Sequence, residues 1–91
     1  MYNILYTPES EENLAEIFWY IQSDSKFYAA KVINSIKSTI DILKMFPFSW
    51  KNIDIKNNMI VESTYKYKII YEIKWNTVYI LSIFKYKNSW E

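Results

Sequence analysis

Ninety-one residues pass without a single glycine. Every turn must therefore be made by a residue that carries a Cβ, for which the left-handed region of backbone space is costly. Asparagine tolerates that region best, so Asn57 and Asn58 are the expected turn residues after position 50. Asn76 is the expected left-handed residue of a tight hairpin over 74–76. The same absence has a chemical consequence. Glycine-rich loops that cradle phosphates, in P-loop or dinucleotide-binding folds, cannot be built from this chain.

Cysteine and histidine are missing as well. That excludes disulfides and thiolate metal sites, and it removes the commonest general base and metal ligand. No spacing of the remaining carboxylates suggests a metal, and no cofactor is expected. With 51% hydrophobic and 20% aromatic residues, the chain has the material for one packed core, and 91 residues leave no room for a second. Residues 1–91 are read as a single domain. There is no apolar run near 20 residues and no basic leader with a cleavage site. The expectation is a cytoplasmic protein without a membrane partner.

The net charge of +1 conceals an uneven distribution. Residues 1–25 carry five acids and no base, residues 26–58 sum to +4, and residues 59–91 sum to +2. An acidic start and a basic remainder suit contact with an anionic partner, or simply a solvated surface. All eleven basic residues are lysine, which lacks the bidentate fork by which arginine holds a phosphate.

Alternation in YNILY (2–6) predicts a short strand. Thr7 as N-cap, Pro8 at the first helical position and Glu9, Glu11 and Glu12 in the first turn predict a helix over 8–22. Leu14, Ile17, Phe18 and Ile21 form its apolar stripe. After SDS (23–25), Ala29, Val32, Ile33, Ile36, Ile40 and Leu43 keep helical period from Lys26 to Met45, with Pro47 beyond the end. Two helices joined so closely form an antiparallel hairpin. Residues 48–58 read as a loop that can hold a short strand. Strands are expected at MIVEST (59–64), YKYKIIYEI (65–73) and TVYILSIFKYK (77–87). The last is apolar on both parities, as in a central strand covered on both faces. The order β-α-α-β-β-β predicts a two-layer α+β domain, its helical hairpin packed on a mostly antiparallel sheet.

On the strand 65–73, alternation sends Tyr65, Tyr67, Ile69, Tyr71 and Ile73 to the core and Lys66, Lys68, Ile70, Glu72 and Lys74 outward. Pairing through the 74–76 turn brings 66–68 near 83–85, so Lys66, Lys68, Lys85 and Lys87 gather at one end. Phosphate contact and a solvated, lysine-guarded edge explain that cluster equally well.

TPESEENLAEIFWYIQSDS, then AAKVINSIKSTIDILKMFP, then YKYKIIYEI with TVYILSIFKYKNS resemble, in order and spacing, the RelE/ParE superfamily of toxins from type II toxin–antitoxin modules. The ParE-like, plasmid-stabilisation branch is the nearer. The resemblance implies a growth-inhibiting toxin held inactive by a cognate antitoxin. For this branch it implies DNA gyrase as the target. RelE-like members instead cleave messenger RNA on the ribosome. A third reading is a member that still binds antitoxin but is no longer toxic.

The family's Tyr-Arg-Ile element matches Tyr67-Lys68-Ile69, and its C-terminal Arg-Gln-Asn element is similar to Lys87-Asn88-Ser89. Lys85 stands where many members have His or an acid. The resemblance thus points to Lys68, Lys85 and Lys87, and the strand-end cluster adds Lys66, as target- or nucleic-acid-binding residues. If the chain cuts RNA, Lys68, Lys85, Tyr86 and Lys87 are its catalytic candidates.

Overall fold

The computed structural model describes residues 1–48, 51–52 and 58–85. The elements run β1 (Asn3–Tyr6), α1 (Pro8–Gln22), α2 (Lys26–Ile42), β2 (Lys51–Asn52), β3 (Asn58–Glu62), β4 (Tyr67–Lys74) and β5 (Thr77–Lys85). The strands form one sheet in the order β1-β5-β4-β3-β2, in which β1 runs parallel to β5 and the other pairs are antiparallel. Both helices lie on one face, giving the expected two-layer α+β arrangement.

Local chemistry sets the helix boundaries. The Thr7 hydroxyl accepts from Ser10 N–H at 3.2 Å, and Pro8 opens α1. Ser25 caps α2, accepting from Tyr28 N–H at 3.1 Å. Helix α2 stops at Ile42 rather than at the expected Met45. The next N–H groups, of Leu43, Lys44 and Met45, reach back only three residues, the tightening by which a helix spends its last carbonyls.

Val32, Ile36, Ile40 and Leu43 from α2 pack on Val61, Ile69, Tyr71, Val78, Ile80 and Ile83 of the sheet, all nearly or wholly buried. Helix α1 adds half-buried Leu14, Ile17 and Ile21. Its N-cap Thr7 and its Asn13 also bind β5, the first where the pairing with β1 ends and the second beyond it. Thr7 Oγ1 donates to Ile80 O at 2.7 Å, and Ile83 N–H donates to Asn13 Oδ1 at 2.9 Å. Asn13 thus satisfies a β5 N–H beyond the β1 pairing, while the Thr7 hydroxyl adds a second donor to Ile80 O, which also accepts from Thr7 N–H at 3.2 Å.

Several sequence expectations change in the sheet. The double parity of β5 does not reflect cover on both faces. Ile70 pairs with Ser82 and Tyr71 with Ile80, which leaves Leu81 as an extra residue. This bulge switches the helix-facing set from Val78 and Ile80 to Ile83. On the opposite face Tyr79 is half-buried and Phe84 exposed. Next, the strand expected from residue 65 begins at Tyr67, and the strand expected to reach Thr64 ends at Glu62. Residues 63–66 make a turn closed by Lys66 N–H to Ser63 O at 2.9 Å, with Lys66 itself at φ 71°. That is the turn-plus-bulge hairpin in which glycine is usual.

Finally, the β4–β5 hairpin places its left-handed residue at Trp75 (φ 59°), not at Asn76. Positive φ at the first of two central residues is the demand of a type II′ turn, again a glycine position. The expected turn at Asn58 falls inside β3, and Asn57 lies outside the described residues. Trp75 is 90% exposed, so its side chain offsets little of the left-handed cost of about 1–2 kcal/mol. Trp75→Gly should therefore raise stability by about 0.5–1 kcal/mol, part of the relief being lost to the freer unfolded chain. Asn76→Gly should not. Urea denaturation of the two variants checks this, and a gain confined to Asn76→Gly would reverse the assignment.

No helix among the described residues is long and apolar enough to cross a membrane.

Candidate functional site

The hairpin β4–β5 fixes the lysines of interest. Tyr67 pairs with Lys85, and Lys68 with Phe84, so these residues share one end of the sheet, as the sequence suggests. Strand alternation then divides them. Tyr67 is buried toward the helices, and Lys85 on the same face holds its Nζ 5.6 Å from the Tyr67 ring centroid, within cation–π range. Lys68 points from the opposite face, where its Nζ meets Glu62 Oε1 of β3 at 3.2 Å. Lys66 belongs to neither face, since it occupies the left-handed turn position. Tyr86 and Lys87 lie outside the described residues. The sheet thus separates Lys68 from Lys85 rather than merging them into one basic patch.

The electrostatics do not favour proton transfer. Burial, and after it the neighbouring Tyr28 and Tyr20 phenols, push the Tyr67 hydroxyl above its ordinary pKa, so it stays protonated at neutral pH. The chain has no histidine, and the Glu62 carboxylate that meets Lys68 is already ion-paired. No group of three potential metal ligands occurs among the described residues.

On the helix face the same end opens into a cleft of about 840 Å³ between α1, α2 and the sheet. Glu16, Tyr20 and Asp24 line it from α1 and the turn beyond, Tyr28 from α2, and Tyr65, Tyr67 and Lys85 from the sheet side. Tyr28 and Tyr65 meet edge to face, with centroids 5.6 Å apart. Reading the helix for its apolar stripe alone misses this wall. The signal lies in the spacing of Glu16, Tyr20 and Asp24, four residues apart along one side of α1 and into the turn beyond it.

With this geometry in hand, a family model described as the ParE toxin of the type II toxin–antitoxin system parDE matches residues 4–90. The chain belongs to the ParE toxin family. The match spans every element from β1 to the stretch that contains Lys87. No curated protein sequence matches the chain. Among solved structures, a chain of the chromosomal ParDE toxin–antitoxin system from P. aeruginosa is similar, with 14% identity and a TM-score of 0.84 over 96% of this chain and 98% of that one. A chain of the heterotetrameric YoeB–YefM toxin–antitoxin complex from Staphylococcus aureus is 16% identical, with a TM-score of 0.61 over 97% and 99%. A further YoeB–YefM structure from the same organism gives 14% identity and a TM-score of 0.56 over 96% and 99%. At such identities these structures establish the shared ParE/RelE-like fold. The family assignment rests on the match over 4–90.

Proposed function

We propose that this ParE-family chain is the toxin of a type II toxin–antitoxin pair, neutralised by a cognate antitoxin in the cytoplasm. In this reading it inhibits growth by binding a macromolecular target, DNA gyrase, rather than by cutting RNA. The observation that carries binding over cleavage is the state of the candidate residues. Lys68 is ion-paired with Glu62, Lys85 rests on the ring of Tyr67, and Tyr67 is held protonated. These are groups suited to contact, and none of these three is poised as a general base. Lys68 occupies the place of the family's arginine, exposed enough to exchange its Glu62 partner for an anionic group on a target.

An antitoxin partner is supported from two sides. The structurally similar chains come from toxin–antitoxin systems. The surface of this chain also leaves Trp19, Phe27, Phe48 and Trp75 more than 60% exposed, an apolar load that a protein partner relieves on binding.

Induced expression of the chain alone should lower viable counts by orders of magnitude. Co-expression of the product of the adjoining reading frame should restore them. Unaltered counts on induction would defeat the toxin reading and favour a member that has lost toxicity.

A further inference from the structure

We propose that the cleft between Asp24, Tyr28 and Tyr67 is a receptor for a cationic side chain, arginine or lysine, presented by the chain's protein partner. The inference builds on the reading that such a partner exists and states what that partner brings to this face.

The cleft is aromatic and acidic at once. Tyr20 is 80% exposed and Tyr28 46%, so their rings stand at the cleft instead of being consumed by the core. The electron-rich faces of such rings attract cations, arginine above all. The Glu16 and Asp24 carboxylates are exposed beside them. Across residues 1–25 no base offsets the five acids, which leaves the α1 wall in a negative field. The cleft also shows its preference within the chain. Lys85, the lysine that lines it among the described residues, holds its Nζ 5.6 Å from the Tyr67 ring centroid while remaining partly in solvent.

Lys85 engages a single ring. The volume of about 840 Å³ has room for a second cation with flanking peptide, since pockets of this size enclose whole small ligands. An anionic occupant fits poorly, because two carboxylates face one ammonium. A purely apolar occupant would bury Glu16 and Asp24 without compensation. A guanidinium satisfies both carboxylates and stacks on tyrosine.

The test titrates N-acetyl-arginine amide into the full chain, followed by amide chemical shifts. The neutral isostere N-acetyl-citrulline amide serves as control. Saturable shifts at Tyr20, Tyr28 and Tyr67 with arginine alone are expected. The double variant Glu16→Gln/Asp24→Asn, altered at exposed positions that leave the core intact, should bind the probe about tenfold more weakly. Lys85→Met should bind it more tightly, the resident cation being gone. In complex with the product of the adjoining reading frame, the double variant should show an affinity loss of similar size. Equal shifts with citrulline amide, no saturation, or a double variant that binds probe and partner as wild type does would overturn the proposal. If no complex forms even with the wild-type chain, the antitoxin reading fails on its own, and the arginine probe still judges the cleft.

Discussion

Tyr71→Ala should cost about 3–5 kcal/mol of folding stability, the range for removing a large aromatic side chain from a core. Tyr71 has no exposed surface and sits in β4, between β3 and β5. Its hydroxyl donates to Pro47 O at 2.7 Å, a buried bond across 24 residues that ties the segment after α2 onto the sheet. A domain of this size has about 5–15 kcal/mol in total, so the variant should be largely unfolded at 37 °C. Tyr71→Phe keeps the ring and orphans only the Pro47 carbonyl, a loss of about 1–3 kcal/mol.

The pair of variants also separates packing from ionisation. Burial raises the pKa of Tyr71, and burial with nearby tyrosines raises that of Tyr67. Both phenols therefore stay protonated in the fold after the unfolded chain, with pKa near 10, begins to lose its protons. The unfolded state then binds fewer protons, so stability is complete below about pH 10 and falls as pH rises past it. The fall is steepest for Tyr71, whose phenol burial raises most strongly. Tyr71→Phe should flatten this alkaline slope and leave the parts due to Tyr67 and to Tyr6, whose phenol burial and the nearby Asp41 also raise. Urea melts from pH 8 to 11 read both effects, and an unchanged slope in Tyr71→Phe would mean that Tyr71 is not shielded as described.

Lys68→Ala should abolish growth inhibition with almost no change in melting. Its pair with Glu62 is partly exposed, with side-chain accessibilities of 23% and 43%, and such pairs contribute about 0–1 kcal/mol. A function that depends on Lys68 charge should therefore vanish while the fold persists. Glu62→Ala is the control: it removes the same ion pair yet keeps the cation, and toxicity should survive. Viable counts and thermal melts of the two variants decide the matter. If both variants lose toxicity together with stability, Lys68 supports the sheet rather than meeting a target.

The elements were legible because their signals are local. Thr7, Pro8 and Ser25 announce the helix starts, and period 3.6 in α2 and period 2 in β4 mark the buried faces. The two turns differ from expectation for one reason: asparagine tolerates positive φ best, but tolerance alone does not place a turn. The chain adopts positive φ at Lys66 and Trp75, where hairpin pairing on either side imposes the turn whatever residue stands there. The β5 bulge was hidden for a related reason. One inserted residue turns a one-sided strand into a pattern that reads as two-sided.

The candidate site was half legible. Register put Lys68 and Lys85 at the same end of the sheet, but a list of lysines does not say which face each occupies. Tyr67 settles that for Lys85 through the cross-strand pair. The acidic-aromatic wall of α1 went unread because an exposed Tyr20 looks, in sequence, like the margin of an apolar stripe.

The proposed binding of this chain to gyrase is open to a direct test. The most direct measurement adds the purified protein to gyrase and relaxed plasmid and follows supercoiling. Supercoiling should stop at near-stoichiometric protein and return when the antitoxin is added. Undisturbed supercoiling in excess protein, with a defined message cut on translating ribosomes, would contradict the claim and assign the chain to RNA cleavage.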